Sequence, residues 1–201
     1  MKKIIVTGFE AFLEHSTNPT EWLAKQLDGQ VMKGAIIQSI VLPVAFERAV
    51  NPLIQGIEKE KPDAIIMLGL AAGRKGITPE RVAINVMDGE KDNDGEQKED
   101  EPIDPSGPAA YFSTLPLREV VAAATLNGCD SSISNTAGTY VCNCLMYSVL
   151  RYLDKNSLSI PAGFIHVPYS EKMNVYNQPA LPEETLLEAT RHIINCVVEE
   201  C

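Results

Sequence analysis

The segment Asp63–Leu70 constrains the fold most strongly, because it runs almost without a polar side chain. A strand of this composition is typical of a sheet centre that is covered on both faces. Further strands are predicted at Lys3–Thr7 and Ile36–Val44, and segments with helical periodicity alternate with the strands. The alternation predicts an α/β fold, a three-layer sandwich in which a twisted, mixed and mostly parallel sheet carries helices on both faces.

The remaining elements follow from periodicity and from residues that begin or end helices. Asn18 and Pro19 are a typical N-cap and first helical residue. Pro52 is expected to kink the second helix. Further strands are predicted at Val82–Val86, Ser131–Asn135 and Ala162–Tyr169, and helices at Asn18–Leu27, Phe46–Lys61, Leu117–Leu126, the run after Cys142, and Pro182–Glu199.

Length and composition predict one domain. The chain has 201 residues, of which 45% are hydrophobic, so we expect a single domain over residues 1–201 with a sizeable core. Residues 88–104 carry nine carboxylates against two lysines and show no apolar periodicity. This composition predicts a mobile acidic surface loop.

The net charge of −10 argues against a nucleic acid or an anionic membrane as partner, because both attract concentrated Lys and Arg. Gly8 interrupts the N-terminal apolar run before a signal-peptide core could form. No segment approaches the roughly 20 apolar residues of a membrane span. The five cysteines, Cys201 among them, form an odd and irregular set that fits reduced thiols, so we expect a cytoplasmic protein.

Cys142 is the most unusual residue of the chain, because a tight turn rich in small and polar residues precedes it and a predicted buried helix follows it. In a first helical turn, free backbone N–H groups and the helix dipole favour a thiolate, the nucleophilic form of cysteine. The alternative is a buried cysteine that acts as a small hydrophobe. Cys144 lies two residues further on, but a zinc site would need a second such pair, which the chain lacks.

Two loops imitate ligand sites without matching them. The glycines of 69–76 suggest a phosphate loop, but the Gly-Lys-Ser/Thr ending is absent, so we exclude a nucleotide there. The segment Glu90–Glu101 imitates the spacing of an EF-hand, but it starts with Glu, has Gln97 at the eighth position and follows a strand. We therefore predict neither a nucleotide site nor a calcium site in these loops.

Three histidines restrict the search for a base. His15 lies in a polar loop, and His192 lies on the charged side of the C-terminal helix. His166 is flanked by apolar residues near a strand end, where the default is a core histidine whose polar atoms are paired. A cysteine and a histidine at two such boundaries are nevertheless what a thiolate–imidazolium pair requires, and Glu80 is one candidate for the carboxylate that orients the imidazole.

Phe9 and Phe12 follow the first strand at its carboxyl end, a usual place for a ligand site in an open α/β sheet. Two aromatic residues at a strand end serve either as core plugs or as the apolar wall of a pocket. The sequence alone favours the first alternative, in which the rings of Phe9 and Phe12 fill space in the core.

Four segments together resemble the pyroglutamyl peptidase I, or pyrrolidone-carboxylate peptidase, family of cysteine peptidases. They are Val6–Glu10, Ile77–Asn85, Ser134–Asn143 and Gly163–Tyr169, and they occur in the family's order along the whole chain. The resemblance implies an enzyme that removes an N-terminal 5-oxoproline from peptides. It also implies a cytosolic homo-oligomer, a tetramer or dimer, that needs neither metal nor organic cofactor.

By the same resemblance, Cys142 is the nucleophile, His166 is the general base and then the acid, and Glu80 orients the imidazole. Phe9 and Phe12 then line the pyroglutamyl pocket. The implied reaction is acyl transfer through a thioester. The pocket for a neutral lactam without an α-ammonium group is expected to be apolar and free of carboxylates.

The chain also departs from the family's usual pattern. Ala11 and Leu13 replace a proline and a glycine, and Cys144 stands where a histidine often follows. Residues 87–93 lack an arginine associated with the oxyanion region, and Lys91 is the candidate replacement. Three functions therefore stay open: an active pyroglutamyl peptidase, a thiol hydrolase of the same fold with another substrate, and a weakly catalytic relative that binds pyroglutamyl ends.

Overall fold

The computed structural model describes residues 1–12, 15–126 and 128–200, and Leu13 and Cys201 lie outside these ranges. The strands are β1 (Lys2–Phe9), β2 (Val31–Met32), β3 (Ala35–Leu42), β4 (Ala64–Leu70), β5 (Thr78–Pro79), β6 (Val82–Ile84), β7 (Ala110–Phe112), β8 (Ala162–Val167), β9 (Tyr169–Ser170) and β10 (Ala180–Leu181). Six of them form the main sheet in the order β2-β3-β1-β4-β8-β5, and two short pairs, β6 with β7 and β9 with β10, lie apart from it.

The sheet is mixed and mostly parallel, as predicted. Strands β3, β1, β4 and β8 run parallel to one another. The short edge strands β2 and β5 are antiparallel to their neighbours. All seven residues of β4 are buried, which explains why its sequence is apolar at successive positions and does not alternate.

Helices cover both faces of the sheet and divide the core into two halves. The helices are α1 (Pro19–Leu27), α2 (Val50–Glu60), α3 (Leu117–Thr125), α4 (Val141–Lys155) and α5 (Glu183–Glu200), with a 3₁₀ turn at Glu171–Met173. Helices α1, α3 and α5 pack on the face that carries Ile66 and Leu68. Helices α2 and α4 pack on the face that carries Ile65 and Met67. The predicted three-layer α/β fold is confirmed. None of the helices within the described ranges is long and apolar enough to cross a membrane.

Several predicted elements differ from the structure. The segment 131–135 is no strand, since it pairs only through isolated bridges from Ser131 to Ile77 and from Ser134 to Glu80. Serine hydroxyls compete for the backbone here, as the bond from Ser134 Oγ to the Thr136 carbonyl illustrates. The predicted strand at 82–86 ends at Ile84 and joins β7 outside the main sheet.

Helix α2 begins at Val50, four residues later than predicted. The N–H of Phe46 donates to the Asp92 carboxylate at 2.9 Å, so the turn that precedes α2 is in contact with the acidic loop. Pro52 consequently falls in the first helical turn, where N–H groups have no helical acceptor. The kink expected at Pro52 therefore has no physical basis.

The acidic loop of residues 88–104 is tied to the body by its own carboxylates. Asp92 is buried and accepts backbone N–H groups from Phe46, Asp94 and Glu96. The Asp92 oxygens of the EF-hand-like segment are therefore used in holding the loop closed.

Asn18 joins the start of α1 to the end of β1, close to Phe9. Its Oδ1 accepts the N–H and the hydroxyl of Thr20 at 3.0 and 2.8 Å, and its Nδ2 donates to the Glu10 carbonyl at 3.0 Å. Thr20 Oγ1 in turn accepts the N–H of Phe9 at 2.9 Å.

We expect Asn18→Ala to lower the free energy of unfolding by about 1–2 kcal/mol, because it removes a buried N-cap. Chemical denaturation measures the change, and Thr17→Ala, an exposed position one residue earlier, is the control. Equal stability of the two variants would contradict the proposed importance of this cap.

Candidate active site

A cavity of about 340 Å³ opens where the carboxyl ends of β1, β4 and β8 meet the start of α4. This is the edge at which open α/β sheets bind ligands. The parallel register places His166 of β8 beside Gly69 of β4, and the antiparallel register places it beside Thr78 of β5. The cavity wall contains Phe9, Phe12, His15, Asn18, Val44, Leu70, Ala71, Ala72, Arg74, Thr136, Ala137, Gly138, Tyr140, Val141, Cys142, His166 and Tyr169.

Cys142 is the second residue of α4, as predicted, and it is half-buried in the cavity wall. Gly69 leaves room for it, because a Cβ there would lie 3.0 Å from Cys142 Sγ and 2.5 Å from the Phe164 ring. The third residue of the helix, Asn143, is fully buried. It fixes the first turn by accepting the Ile84 N–H and donating to the Ile84 and Val86 carbonyls, each at 2.9 Å.

His166 and Glu80 form a buried hydrogen-bonded pair. His166 Nδ1 lies 2.7 Å from Glu80 Oε1, and the two residues are 4% and 0% exposed. Because an ionised carboxylate only accepts, the geometry assigns the proton to Nδ1 and leaves Nε2 free. The N–H of Glu80 also donates to the Phe164 carbonyl of β8 at 2.8 Å, so the backbone holds the two side chains in register.

Arg74 completes the ionic environment of the pair. Its Nη1 lies 2.7 Å from the same Glu80 oxygen and also donates to Thr78 Oγ1. Burial alone would raise the pKa of Glu80, but the hydrogen bond from His166 and the positive charge of Arg74 bring that pKa below its ordinary value.

The resting site favours a neutral cysteine and a neutral histidine. Burial lowers the pKa of His166 despite its bond to Glu80. Burial and the negative charge of Glu80 raise the pKa of Cys142 to about 12. The thiolate expected from the helix N-terminus is therefore not favoured, because desolvation and a nearby carboxylate outweigh the helix dipole.

Phe9 and Phe12 both contribute to the cavity wall. Phe9 is 3% exposed and packs against Phe164 with ring centroids 6.4 Å apart, so it is also part of the core. Phe12 is less buried and meets His15 edge-on at 6.2 Å. Among the described residues that line the cavity there is no Asp or Glu.

The acidic loop fastens three parts of this wall together. Tyr140 donates its hydroxyl to the Lys91 carbonyl at 3.2 Å. Asn93 donates its N–H to the Val44 carbonyl at 2.9 Å and its Nδ2 to the Ala11 carbonyl at 2.9 Å. The Lys91 side chain is exposed, and Lys91 does not line the cavity; its carbonyl supports the wall by accepting the Tyr140 hydroxyl.

Several residues around the cavity had no clear signal in the sequence. Arg74 lies in the glycine-containing loop that we analysed only as a phosphate site. Asn143 directly follows Cys142, and its signal is a polar residue on the buried side of a helix. His15 reaches the cavity through contact with Tyr169, its ring centroid 5.4 Å from that ring. Cys144 is buried in the core behind the site, where burial raises its pKa to about 11.

Comparison with known proteins identifies the family of the chain. A model of the pyroglutamyl peptidase family matches residues 2–200. A pyrrolidone-carboxylate peptidase of Halalkalibacterium halodurans is 44% identical over 198 residues, which cover 98% of each chain. The chain belongs to the pyroglutamyl peptidase family.

Solved structures of pyroglutamyl peptidases share the same fold. The pyrrolidone carboxyl peptidase of Thermococcus litoralis is 38% identical, with a TM-score of 0.95 over 99% of this chain and 94% of that one. The pyroglutamyl peptidase I of Bacillus amyloliquefaciens is 35% identical, with a TM-score of 0.95 over 99% and 98% of the two chains. The predicted family and fold are confirmed, and the chain is a cysteine-type hydrolase of this family.

We expect Asn143→Ala to lower both stability and Cys142 reactivity in this pyroglutamyl peptidase family member. The change removes the side-chain partner of the Ile84 N–H and of the Val86 carbonyl, while the Ile84 carbonyl still accepts the Val86 N–H, and each group left unsatisfied costs about 1–3 kcal/mol before relaxation. The measurements are chemical denaturation and the rate of Cys142 alkylation by iodoacetamide. Asn85→Ala, which breaks a similar amide pairing with Asp104, is the control. If both variants alkylate alike at equal loss of stability, Asn143 does not position the thiol.

Proposed function

We propose that this chain is an omega-peptidase that hydrolyses the amide bond after an N-terminal pyroglutamyl residue, and that residues 1–201 act as one catalytic domain. The observation that carries the proposal is the cavity itself, in which Cys142 and His166 share one wall with apolar side chains and no described carboxylate. The names of the relatives, which are pyrrolidone-carboxylate and pyroglutamyl peptidases, support the same substrate.

In the proposed acylation step, His166 Nε2 removes the proton from Cys142 as Sγ attacks the pyroglutamyl carbonyl carbon. The Cys142 thiol begins this step protonated, so His166 acts as a general base. Glu80 stabilises the imidazolium that forms, through the 2.7 Å bond at Nδ1. The tetrahedral intermediate collapses when His166 returns the proton to the amine of the leaving peptide.

Deacylation repeats the same proton movements with water as the nucleophile. His166 removes a proton from water, and the hydroxide attacks the thioester carbonyl. The intermediate then expels Cys142 Sγ, which regains a proton, and free 5-oxoproline leaves the site. No step requires a metal or an organic cofactor.

Backbone N–H groups are the proposed donors to the oxyanion of both intermediates. The first turn of α4 presents the N–H groups of Val141, Cys142 and Asn143, and the first intrahelical acceptor, the Tyr140 carbonyl, serves Cys144. These donors lie beside the attacking sulfur, and they are proposed to take the place of the arginine that the family resemblance associates with the oxyanion region.

Substrate choice follows from charge and shape. A pyroglutamyl end is a neutral lactam, whereas an ordinary peptide brings an α-ammonium group whose burial without a counter-charge is costly. We propose that Phe9 and Phe12 form the apolar walls around the lactam ring, as the resemblance implied. Homo-oligomer formation, as a tetramer or dimer, and a cytoplasmic location stay predictions from that resemblance.

Release of a fluorogenic amine from a pyroglutamyl amide tests the proposal. The wild type is expected to cleave it at least about 10²-fold better than the matching prolyl amide, whose ring carries an ammonium group and lacks the lactam oxygen. Cys142→Ser is expected to lower the rate on the order of 10³-fold or more. Cys196→Ser, a half-buried cysteine on α5, is the control and retains activity.

Each opposing result has a definite meaning. Faster cleavage of the prolyl amide, or full activity of Cys142→Ser, contradicts the proposed substrate or nucleophile. Rapid alkylation of Cys142 without release of either amine supports a thiol hydrolase with another substrate. Tight binding of pyroglutamyl peptides without turnover supports the weakly catalytic relative.

We expect Lys91→Ala to leave kcat/KM within about twofold of the wild type, because an exposed side chain outside the cavity stabilises no oxyanion. The measurement is steady-state cleavage of the pyroglutamyl amide, with the exposed Lys75→Ala as the control. A fall of about 10²-fold or more would show that Lys91 replaces the missing arginine after all.

A further inference from the structure

We propose that Arg74 is a positioning residue of the site, which fixes the Glu80 carboxylate and offsets its charge, and thereby sets the pH range in which Cys142 and His166 react. This inference rests on the proposed function and adds a residue that neither the family resemblance nor the motif analysis had assigned.

The geometry makes Arg74 a link between three segments. Its Nη1 donates at 2.7 Å to Glu80 Oε1, the oxygen that also meets His166 Nδ1 at 2.7 Å. The same nitrogen donates to Thr78 Oγ1, and Nη2 lies 3.4 Å from the Thr136 carbonyl in the turn before α4. Arg74 therefore holds the carboxylate in the direction that His166 requires.

Burial explains why Glu80 needs partners that lower its pKa. The Glu80 side chain is 0% exposed, and the side chain of Arg74 is 26% exposed. An isolated carboxylate at such depth would be protonated, and a protonated Glu80 would no longer stabilise the imidazolium. Against the effect of burial, the hydrogen bond from His166 lowers the pKa of Glu80 most, and the charge of Arg74 lowers it further, so Glu80 stays ionised when the Arg74 charge is removed. The guanidinium also reaches the cavity wall.

The charges around the reacting pair are few. The charged groups next to His166 are Glu80 beyond β5 and Arg74 in the loop after β4, and Cys142 on α4 shares the cavity with it, while β4 itself presents Gly69. The other described titratable residues that line the cavity are His15, Tyr169 and Tyr140, the last of which interacts electrostatically with Cys142. The negative charge of Glu80 raises the pKa values of both His166 and Cys142, and the positive charge of Arg74 lowers both.

The direction of the expected pKa change is the same whether the resting pair is a thiol with a neutral imidazole or a thiolate with an imidazolium. A nearby cation stabilises a thiolate and destabilises an imidazolium, so it lowers the pKa of both groups. Loss of the Arg74 charge therefore raises both values. Both limbs of the pH–rate profile then move to higher pH.

Arg74→Gln tests the charge, because the shorter amide keeps a donor beside Glu80 and removes the cation. The pH dependence of Cys142 alkylation by iodoacetamide is measured together with that of kcat/KM on the pyroglutamyl amide. We expect both profiles to move to higher pH by about one unit. Arg74→Lys retains the wild-type pH range but lowers kcat, because an ammonium lacks the fork that joins Glu80, Thr78 and Thr136.

Arg81→Gln is the matched control. Its Nε donates to Asn135 Oδ1 at 2.7 Å near the same turn, but Arg81 does not line the cavity. It is expected to keep the wild-type profile. Reduced activity of Arg74→Gln with unchanged pH profiles would overturn the proposal, because Arg74 would then be only structural.

Two further readouts keep the test decisive. If no variant releases amine while the alkylation profile of Arg74→Gln still moves, the role of Arg74 stands and the proposed substrate fails. If Arg74→Gln does not fold, Thr78→Val removes one anchor and leaves the charge in place. That variant is expected to lower kcat without moving the pH profile, and an unchanged kcat would overturn the positioning role.

Discussion

The buried hydrogen bond between Glu80 and His166 is the interaction on which the rest of the site depends. Its two partners lie 86 residues apart in the chain, and they meet only because the backbone between β5 and β6 bonds to the Phe164 carbonyl of β8. A fully buried carboxylate needs compensation, so the fold supplies a histidine and an arginine to one oxygen. The sheet, the turn before α4 and the loop after β4 all converge on that oxygen.

The sequence predicted an element correctly where neighbouring residues alone determine it. The apolar run of β4 gave its central position, Asn18 and Pro19 gave the start of α1, and the turn before Cys142 gave the start of α4. The predictions of secondary structure failed where groups that are distant in the chain determine the local structure. The N–H of Phe46 is bonded to Asp92, which shortened the predicted second helix. Serine hydroxyls and isolated bridges replaced the strand expected at 131–135.

The residues of the site divide in the same way. Cys142, His166 and Glu80 stand at element boundaries, where composition and family resemblance directed attention to them. Arg74 and Asn143 act through partners that only the folded chain brings near, so periodicity could not assign them. The charge state of Cys142 followed from burial and from Glu80, neither of which is visible in the run of residues around the cysteine. The helix N-terminus alone was therefore an insufficient guide.

Chemistry and recognition meet at the N-terminus of α4. The catalytic geometry depends on β8, the segment after β5 and the first turn of α4, and the acidic loop bonds to Tyr140, the N-cap of that helix, as well as to Val44 and Ala11. A change in the length or sequence of that loop therefore alters the cavity wall next to the nucleophile. Drift in selectivity through the acidic loop carries a catalytic cost, because one surface segment braces both the substrate wall and the helix that presents Cys142.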